Sequence, residues 1–165
     1  QWPQKMYDGS TETFEMLKRP NTLNAFVLEG DKIILSREEQ PTKKKAYTLI
    51  GGRQEPGETP LQGVQREVLE ESGYASDKWE TWRVYRPYGK IDWEVHIFIA
   101  RDCKKIAEQK LDAGERIELQ KVTFDEFVEL ASAPGFWGRE LQSDILRMRL
   151  DGTLDEFRKV LFPNS

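Results

Sequence analysis

The sequence predicts a mixed α/β domain whose chemistry sits on one helix. Three observations carry that expectation. Apolar runs of strand length recur at 22–28, 32–36, 47–50, 81–86, 93–100 and 116–122; a sharply punctuated helical stretch follows Gly51-Gly52; and the end of the chain has apolar residues at helical spacing. Strands, helix, strands, then helices is the order of a mixed sheet packed against helices, not of a regular βαβ series. At 165 residues the chain is expected to fold as one domain over 1–165 and to bury a real core.

Gln1–Pro20 is a polar N-terminal extension carrying Trp2, Tyr7 and Phe14. Each of these rings is expected to pack in the core, against the alternatives of stacking on a base or packing on a partner subunit. Thr22–Leu28 and Lys32–Ser36 flank Glu29-Gly30-Asp31, the spacing of a β-hairpin. A polar loop with Pro41 then leads to Tyr47–Ile50, read as a single strand ending on Gly51-Gly52.

The next element carries its own start and stop signals. Thr59 is the N-cap, Pro60 the first helical residue, Gln62 completes a capping box and Gly73 ends the helix. Leu61, Val64 and Val68, with Leu69 beside them, make its apolar stripe. Gly63 inside it costs about 1 kcal/mol relative to Ala, a hint of close packing. Thr81–Arg86 and Trp93–Ala100 follow as strands bridged by Pro87-Tyr88-Gly89-Lys90, then Arg116–Val122 as another. Thr123 and Glu126 open a helix that Ala133-Pro134-Gly135 breaks. Two amphipathic helices, Arg139–Leu150 and Thr153–Leu161, lie in the C-terminal stretch 139–165.

Composition excludes several classes. No run of 18 or more apolar residues appears, so no membrane-spanning helix is expected. Gln1–Ser10 lacks the apolar core of a secretory leader. A net charge of -4 leaves no basic footprint for duplex nucleic acid. The lone Cys103 fits a reducing compartment, hence the cytoplasm, and reads as a partly buried strand-end thiol rather than a catalyst. Lys43-Lys44-Lys45 reads as a solvated loop, against the alternative of attracting a phosphorylated substrate.

The informative string is GGRQEPGETPLQGVQREVLEESGY, residues 51–74. Glu67, Glu70 and Glu71 share one helix face at i, i+3 and i+4, turned away from the apolar stripe. Three carboxylates within a turn repel one another, so helix stability does not explain them. They form either a solvated acidic patch or a site for a hard cation such as Mg²⁺. The preceding loop favours the cation: glycines allow close approach of backbone to metal or phosphate, Glu58 adds an acid, and Arg66 can grip a carboxylate with both arms. A Walker loop is excluded, because the Gly-Lys-Ser/Thr ending is missing.

These residues resemble the Nudix box, G-x5-E-x7-R-E-U-x-E-E-x-G-U with U bulky and apolar. Gly52, Glu58, Arg66, Glu67, Val68, Glu70, Glu71, Gly73 and Tyr74 stand in register with every position. A match of that length arises by chance on the order of once in a billion windows at average residue usage. The resemblance implies a Nudix fold, a mixed β-sheet sandwiched between helices. It also implies hydrolysis of a nucleoside diphosphate linked to another group, with Mg²⁺ as cofactor and Mn²⁺ as a substitute. Carried over residue by residue, Glu67, Glu71, Glu70 and the carbonyl of Gly51 are the implied metal ligands. Glu58 and Arg66 orient them, Glu70 shares the catalytic work, and Gly52 lies against substrate.

Outside the box the chain resembles the ADP-ribose/NDP-sugar pyrophosphatase branch. The likeness lies at Phe14-Glu15 with Arg19-Pro20, at Ile34–Pro41, at Arg86-Pro87-Tyr88-Gly89, at Glu94 with 96–100, and at Gly114–Leu119. It departs at Leu49-Ile50, where the branch has proline before the box glycines, and in the placing of Pro87. The branch implies a late-loop glutamate as base, here Glu115 with Glu118 second, a phosphate-gripping Arg37, and a homodimer. His96, in an apolar strand, is expected to be a satisfied sheet residue rather than a catalyst. The readings left open are an ADP-ribose or NDP-sugar pyrophosphatase, a nucleoside-triphosphate pyrophosphohydrolase, and a non-catalytic ligand-binding module.

Overall fold

The protein is described from a computed structural model covering residues 1–41 and 43–163, with Lys43 described by its backbone alone. Its elements in chain order are β1 (Trp2–Lys5), β2 (Thr11–Phe14), β3 (Leu17–Lys18), β4 (Thr22–Glu29), β5 (Lys32–Gln40), β6 (Lys43–Thr48), β7 (Ile50–Arg53), α1 (Pro60–Ser72), β8 (Tyr74–Ala75), β9 (Lys78–Tyr85), β10 (Ile91–Asp92), β11 (Val95–Arg101), β12 (Lys104–Lys105), β13 (Arg116–Val122), α2 (Phe124–Ser132), α3 (Arg139–Asp151) and α4 (Leu154–Leu161).

The central sheet runs β13-β5-β4-β11-β9 and is mixed, because β4 and β11 are parallel while the other neighbours are antiparallel. Two apolar layers follow from the two-residue period of its strands. Phe26, Leu28, Ile33, Leu35, Ile97 and Ile99 face Phe124, Phe127, Leu141, Ile145 and Phe157 of α2, α3 and α4. Ala25, Val27, Ile34, Phe98 and Ala100 face Val64 and Val68 of α1. The expected mixed sheet between helices is what the chain forms. No helix among the described residues is long and apolar enough to cross a membrane.

The sheet forks at one end, and the fork makes room for the site. Near their connecting turn β4 and β5 pair directly, from Val27↔Ile34 to Glu29↔Lys32. Beyond that they part: Thr22–Ala25 pair with Arg53–Ile50 of β7, and Ser36–Gln40 pair with β6. The expected polar loop at 37–46 is therefore a second hairpin, and its lysine run lies on a strand. The expected single strand Tyr47–Ile50 divides at Leu49, which enters the α2-side core while Ile50 enters the α1-side core.

Helix α1 begins as its sequence dictates. Thr59 caps the Gln62 N–H and the Gln62 side chain caps the Thr59 N–H, so both arms of the capping box are present. Its buried face differs from the expected stripe: Leu61 and Leu69 are exposed, while Gly63, Val64, Val68, Glu71 and Ser72 are buried. A Cβ on Gly63 would come within 2.5 Å of the Leu23 Cδ1 and 2.6 Å of the Glu58 Oε1, which accounts for its place in a helix interior.

The N-terminal extension corrects another expectation. β1 and β2 pair only with each other in a separate two-stranded sheet, with Trp2 58% and Tyr7 111% exposed. Trp2 and Tyr7 are thus not core residues, and Phe14 is only half-buried. Strand β3 pairs in parallel with β10, so Leu17–Arg19 lie beside the segment leading into β11.

The C-terminus of α1 is held by the chain that follows β12. Lys110 N–H donates to the Glu70 carbonyl at 2.7 Å, Gln109 Nε2 to the Glu71 carbonyl at 2.6 Å, and Ile106 and Ala107 N–H to the Gly73 carbonyl. Gly73 is left-handed at φ +70°, and a Cβ there would stand 2.0 Å from the Ala107 carbonyl oxygen. Gly73→Ala is expected to lower stability by at least about 2 kcal/mol, since left-handed strain and a backbone clash add. Urea unfolding measures it, and a loss under about 0.5 kcal/mol would show that the 106–110 segment yields freely.

Candidate active site

The carboxylates of α1 meet the end of β7 at the mouth of the fork. Arg66 is the hub. It reaches Glu58 Oε1 at 2.8 Å, Glu67 Oε1 at 3.0 Å, Glu70 Oε2 at 3.1 Å, and the Arg53 carbonyl at 3.1 Å. Its hydrogen bonds hold the Glu58 carboxyl below the ordinary range and raise the guanidinium's own affinity for its proton. One cation thus draws together three acids that would otherwise repel.

Glu67 and Glu71 do not form a solvated face. Burial raises the Glu67 pKa, opposed by Arg66. Glu71 is 6% exposed and accepts the Gly51 N–H at 2.9 Å. Burial pushes its carboxyl up to about 9, with Glu67, Glu38 and Glu115 adding like charge and the Gly51 bond only partly relieving it. The glycines are needed sterically. A Cβ on Gly51, at φ +148°, would lie 1.9 Å from the Leu23 carbonyl oxygen, and one on Gly52 would enter the Glu67 carboxylate at 2.5 Å. The contact seen for Gly51 is through its N–H.

These groups line a cleft of about 980 Å³ that also contains Glu38, Gln40 and Glu115. The cleft continues past Arg19, Arg53, Tyr88 and Trp93 and reaches Trp137, Gly138 and Arg139. Trp93 is held by its Nε1 bond to Thr22 Oγ1 at 3.1 Å, with the Arg19 guanidinium 4.3 Å above its ring and Tyr88 stacked at 6.1 Å. The N-terminus of α3 opens on the cleft at Gly138, which makes no side-chain cap. Backbone N–H groups and Arg139 there favour negative charge.

Of the residues singled out in the sequence, Gly51, Gly52, Glu58, Arg66, Glu67, Glu70, Glu71 and Glu115 come together, and Glu58 alone of these stands behind Arg66 rather than on the cleft wall. Arg37 and Glu118 do not join them. Arg37 lies over Tyr47 at 5.8 Å and 3.7 Å from Glu118, on the face of β5 that carries Ile33 and Leu35. Glu118 is bound by Lys45 at 2.6 Å, which holds its carboxyl below the usual range. His96 is buried and bonded to Glu94 at 2.9 Å, and the Cys103 thiol is buried, pushed up to about 11 by desolvation. Glu38, one residue beyond Arg37, is the acid that sequence reasoning missed. Extending the alternation of β5 past Ser36 would have placed it on the α1 face.

Residues 18–140 match the family described as the NUDIX domain. The chain belongs to the Nudix family. It is similar to an ADP-ribose pyrophosphatase of Bacillus subtilis (strain 168), 27% identical over 130 residues, covering 76% of this chain and 70% of that protein. It is also similar to a methanol dehydrogenase activator of Bacillus methanolicus, 27% identical over 127 residues and covering 74% of this chain and 68% of the relative. A third likeness, 33% identical over 91 residues, is to an 8-oxo-dGDP phosphatase of Homo sapiens and covers 55% of this chain and 28% of that one. Among solved structures, an ADP compounds hydrolase superimposes with a TM-score of 0.69 at 18% identity, covering 91% of this chain and 84% of the other. A NUDIX hydrolase from Nitrosomonas europaea gives a TM-score of 0.61 at 22% identity, covering 82% and 91%. With its Nudix box intact and these relatives, the chain is a Nudix pyrophosphohydrolase.

The donor chemistry of the box suits a divalent cation. The ligands the box can offer, Glu67, Glu70 and Glu71, are all oxygen donors, and burial raises the carboxyls of Glu67 and Glu71 above the ordinary range. Among the described residues no group of three or more acids, histidines or cysteines already stands in a cation-holding arrangement, because the carboxylates turn onto Arg66 and the Gly51 N–H. The Glu71 pKa is higher folded than unfolded. Its contribution to stability is therefore present below the ordinary value of 4.5 and is lost as pH rises through about 9. Thermal unfolding of the cation-free protein is expected to fall between pH 5 and pH 9 by more than in Glu71→Gln, with a divalent cation restoring the wild type most at the alkaline end. Equal slopes for the two proteins would show that Glu71 is already ionised.

Proposed function

We propose that this Nudix pyrophosphohydrolase is Mg²⁺-dependent and cleaves the diphosphate of ADP-ribose or a related nucleoside-diphosphate sugar, giving a nucleoside monophosphate and a sugar phosphate. The observation that carries the reading is the extent of the cleft. The box carboxylates form one wall, and aromatic and cationic groups continue from Arg19 and Trp93 to Trp137 and Arg139, enough surface for a group on each side of a diphosphate. The likeness to an ADP-ribose pyrophosphatase supports the same substrate class.

In this reading Glu67, Glu71, Glu70 and the Gly51 carbonyl hold Mg²⁺, with Mn²⁺ as a substitute. The bound cation supplies charge neutralisation of the diphosphate and acidifies water. Arg66 and Glu58 keep the carboxylates aimed. The bare Cα of Gly52 lets the diphosphate approach the backbone, and Glu115 takes the proton of the attacking water at its carboxylate. Arg19 and Arg139, which line the cleft, face the phosphates or the groups they link. A cytoplasmic setting belongs to the same proposal, supported by the unpaired thiol of Cys103.

A nucleotide-sanitising activity is the second reading, favoured by the local likeness to an 8-oxo-dGDP phosphatase. Purified protein with Mg²⁺ should hydrolyse ADP-ribose or ADP-glucose faster than any triphosphate, with Glu71→Gln lowering kcat by several orders of magnitude at unchanged fold. Turnover of triphosphates alone would overturn the substrate, and no turnover at all would leave a ligand-binding module. We further propose a homodimer, supported by the exposed rings of Trp2 and Tyr7 on the β1–β2 hairpin, which pairs with no other strand among the described residues. Light scattering is expected to give twice the chain mass, and a monomer would contradict it.

A further inference from the structure

The segment between Arg53 and Glu58 has no regular structure and contains Pro56 and Gly57, yet Glu58 must stand still for Arg66 to be held. Fixing each residue of such a loop costs roughly 1–2 kcal/mol of conformational entropy, so something must hold it. Two neutral amides do so. Gln54 N–H donates to the Asn21 carbonyl at 3.0 Å, and Asn21 Nδ2 donates to Gln54 Oε1 at 2.9 Å. Gln54 Nε2 then donates to the Glu58 carbonyl at 2.7 Å, while Glu55 N–H donates to Glu58 Oε1 at 2.7 Å. At its far end Asn21 Oδ1 accepts the Glu94 N–H at 2.9 Å.

The directions are forced. The Glu94 N–H makes the Asn21 oxygen the acceptor, so its nitrogen faces Gln54, and the Gln54 nitrogen in turn faces a carbonyl. Each side chain must both donate and accept, which a carboxylate cannot do. Gln54 occupies an unspecified position of the box, and Asn21 lies outside the box altogether.

We propose that Asn21 and Gln54 are positioning residues for the pyrophosphohydrolase site, an amide clasp that fixes the 53–58 loop and, through Glu58 and Arg66, the aim of the carboxylates. The same Asn21 ties this loop to the Trp93–Glu94 segment, so the clasp also sets the width of the cleft. The proposal rests on the cation reading of the site. Its first readout does not, because the loop's order is measured without cation or substrate.

The test compares Asn21→Ala, Asn21→Asp, Gln54→Met and the double variant Asn21→Ala/Gln54→Met with the wild type. In the cation-free protein, amide hydrogen exchange at Gln54 and Glu55 should quicken by about tenfold or more in every variant. Exchange at Glu94 should quicken in Asn21→Ala but stay slow in Asn21→Asp, which keeps the acceptor and loses only the donor. Mn²⁺ should bind about 10- to 100-fold more weakly by proton relaxation, and kcat should fall in the same range with KM for ADP-ribose within about twofold. The double variant should be no worse than Gln54→Met alone. Wild-type exchange in the loop, or single effects that add in the double variant, would overturn the clasp. Failure of the wild type to bind Mn²⁺ would overturn the cation reading instead, and the exchange data would still decide the clasp.

Discussion

Three of the four acids of the box depend on one guanidinium. Arg66 touches three carboxylates and a backbone carbonyl at once, and Arg is suited to this because its charge is permanent and its donors lie in a rigid plane. A lysine in its place would offer one point of charge and no fixed fork. Without the contact, Glu58, Glu67 and Glu70 would repel, α1 would lose its aim against β7, and the approach of Glu67 to Gly52 would open. Glu71 is the exception that gives the arrangement its purpose. It is buried, and among the described residues its carboxylate is bonded by the Gly51 N–H rather than by Arg66. The site is thus balanced on one side and left short of positive charge on the other.

What was legible in the sequence was local. Helix α1, its capping box and its glycine stop follow from residues within a turn of one another, and all three stand where the spacing put them. The capping box of α2 at Thr123 and Glu126 was legible for the same reason. The box could be read in register because its residues are few and their order is rigid.

What was not legible depended on which strands pair. Arg37 and Glu38 are neighbours in the chain and lie on opposite faces of β5, so where that strand is taken to end decides whether Glu38 is placed on the cleft face. Glu38 was overlooked because the strand was expected to end at Ser36; it runs on to Gln40. The buried carboxylate Glu71 was misjudged in a related way. The apolar stripe suggested that the acids face outward, but α1 lies with Leu61 and Leu69 in solvent and packs its small and acidic residues against the fork. Asn21 and the pair Trp137 and Arg139 join the site from two separate places, and nothing in their own neighbourhoods announces it.

The fork of β4 and β5 has a consequence for how such a fold can change. Its closed end belongs to the two cores, while its open end turns Thr22, Asn24, Glu38 and Gln40 to the cleft and Leu23 and Ala25 to the α1-side core, so the same two strands serve both without sharing residues between the tasks. The groups that would meet the two ends of a substrate hang from connections outside the forked strands: the approach to β11, the segment before α3 and the turn before β13. Such parts can be lengthened, shortened or exchanged while the hydrolytic wall is left as it is. A lineage built on this frame has the means to diversify its menu of cargoes cheaply, keeping one reaction and revising only the fingers that hold what is cut.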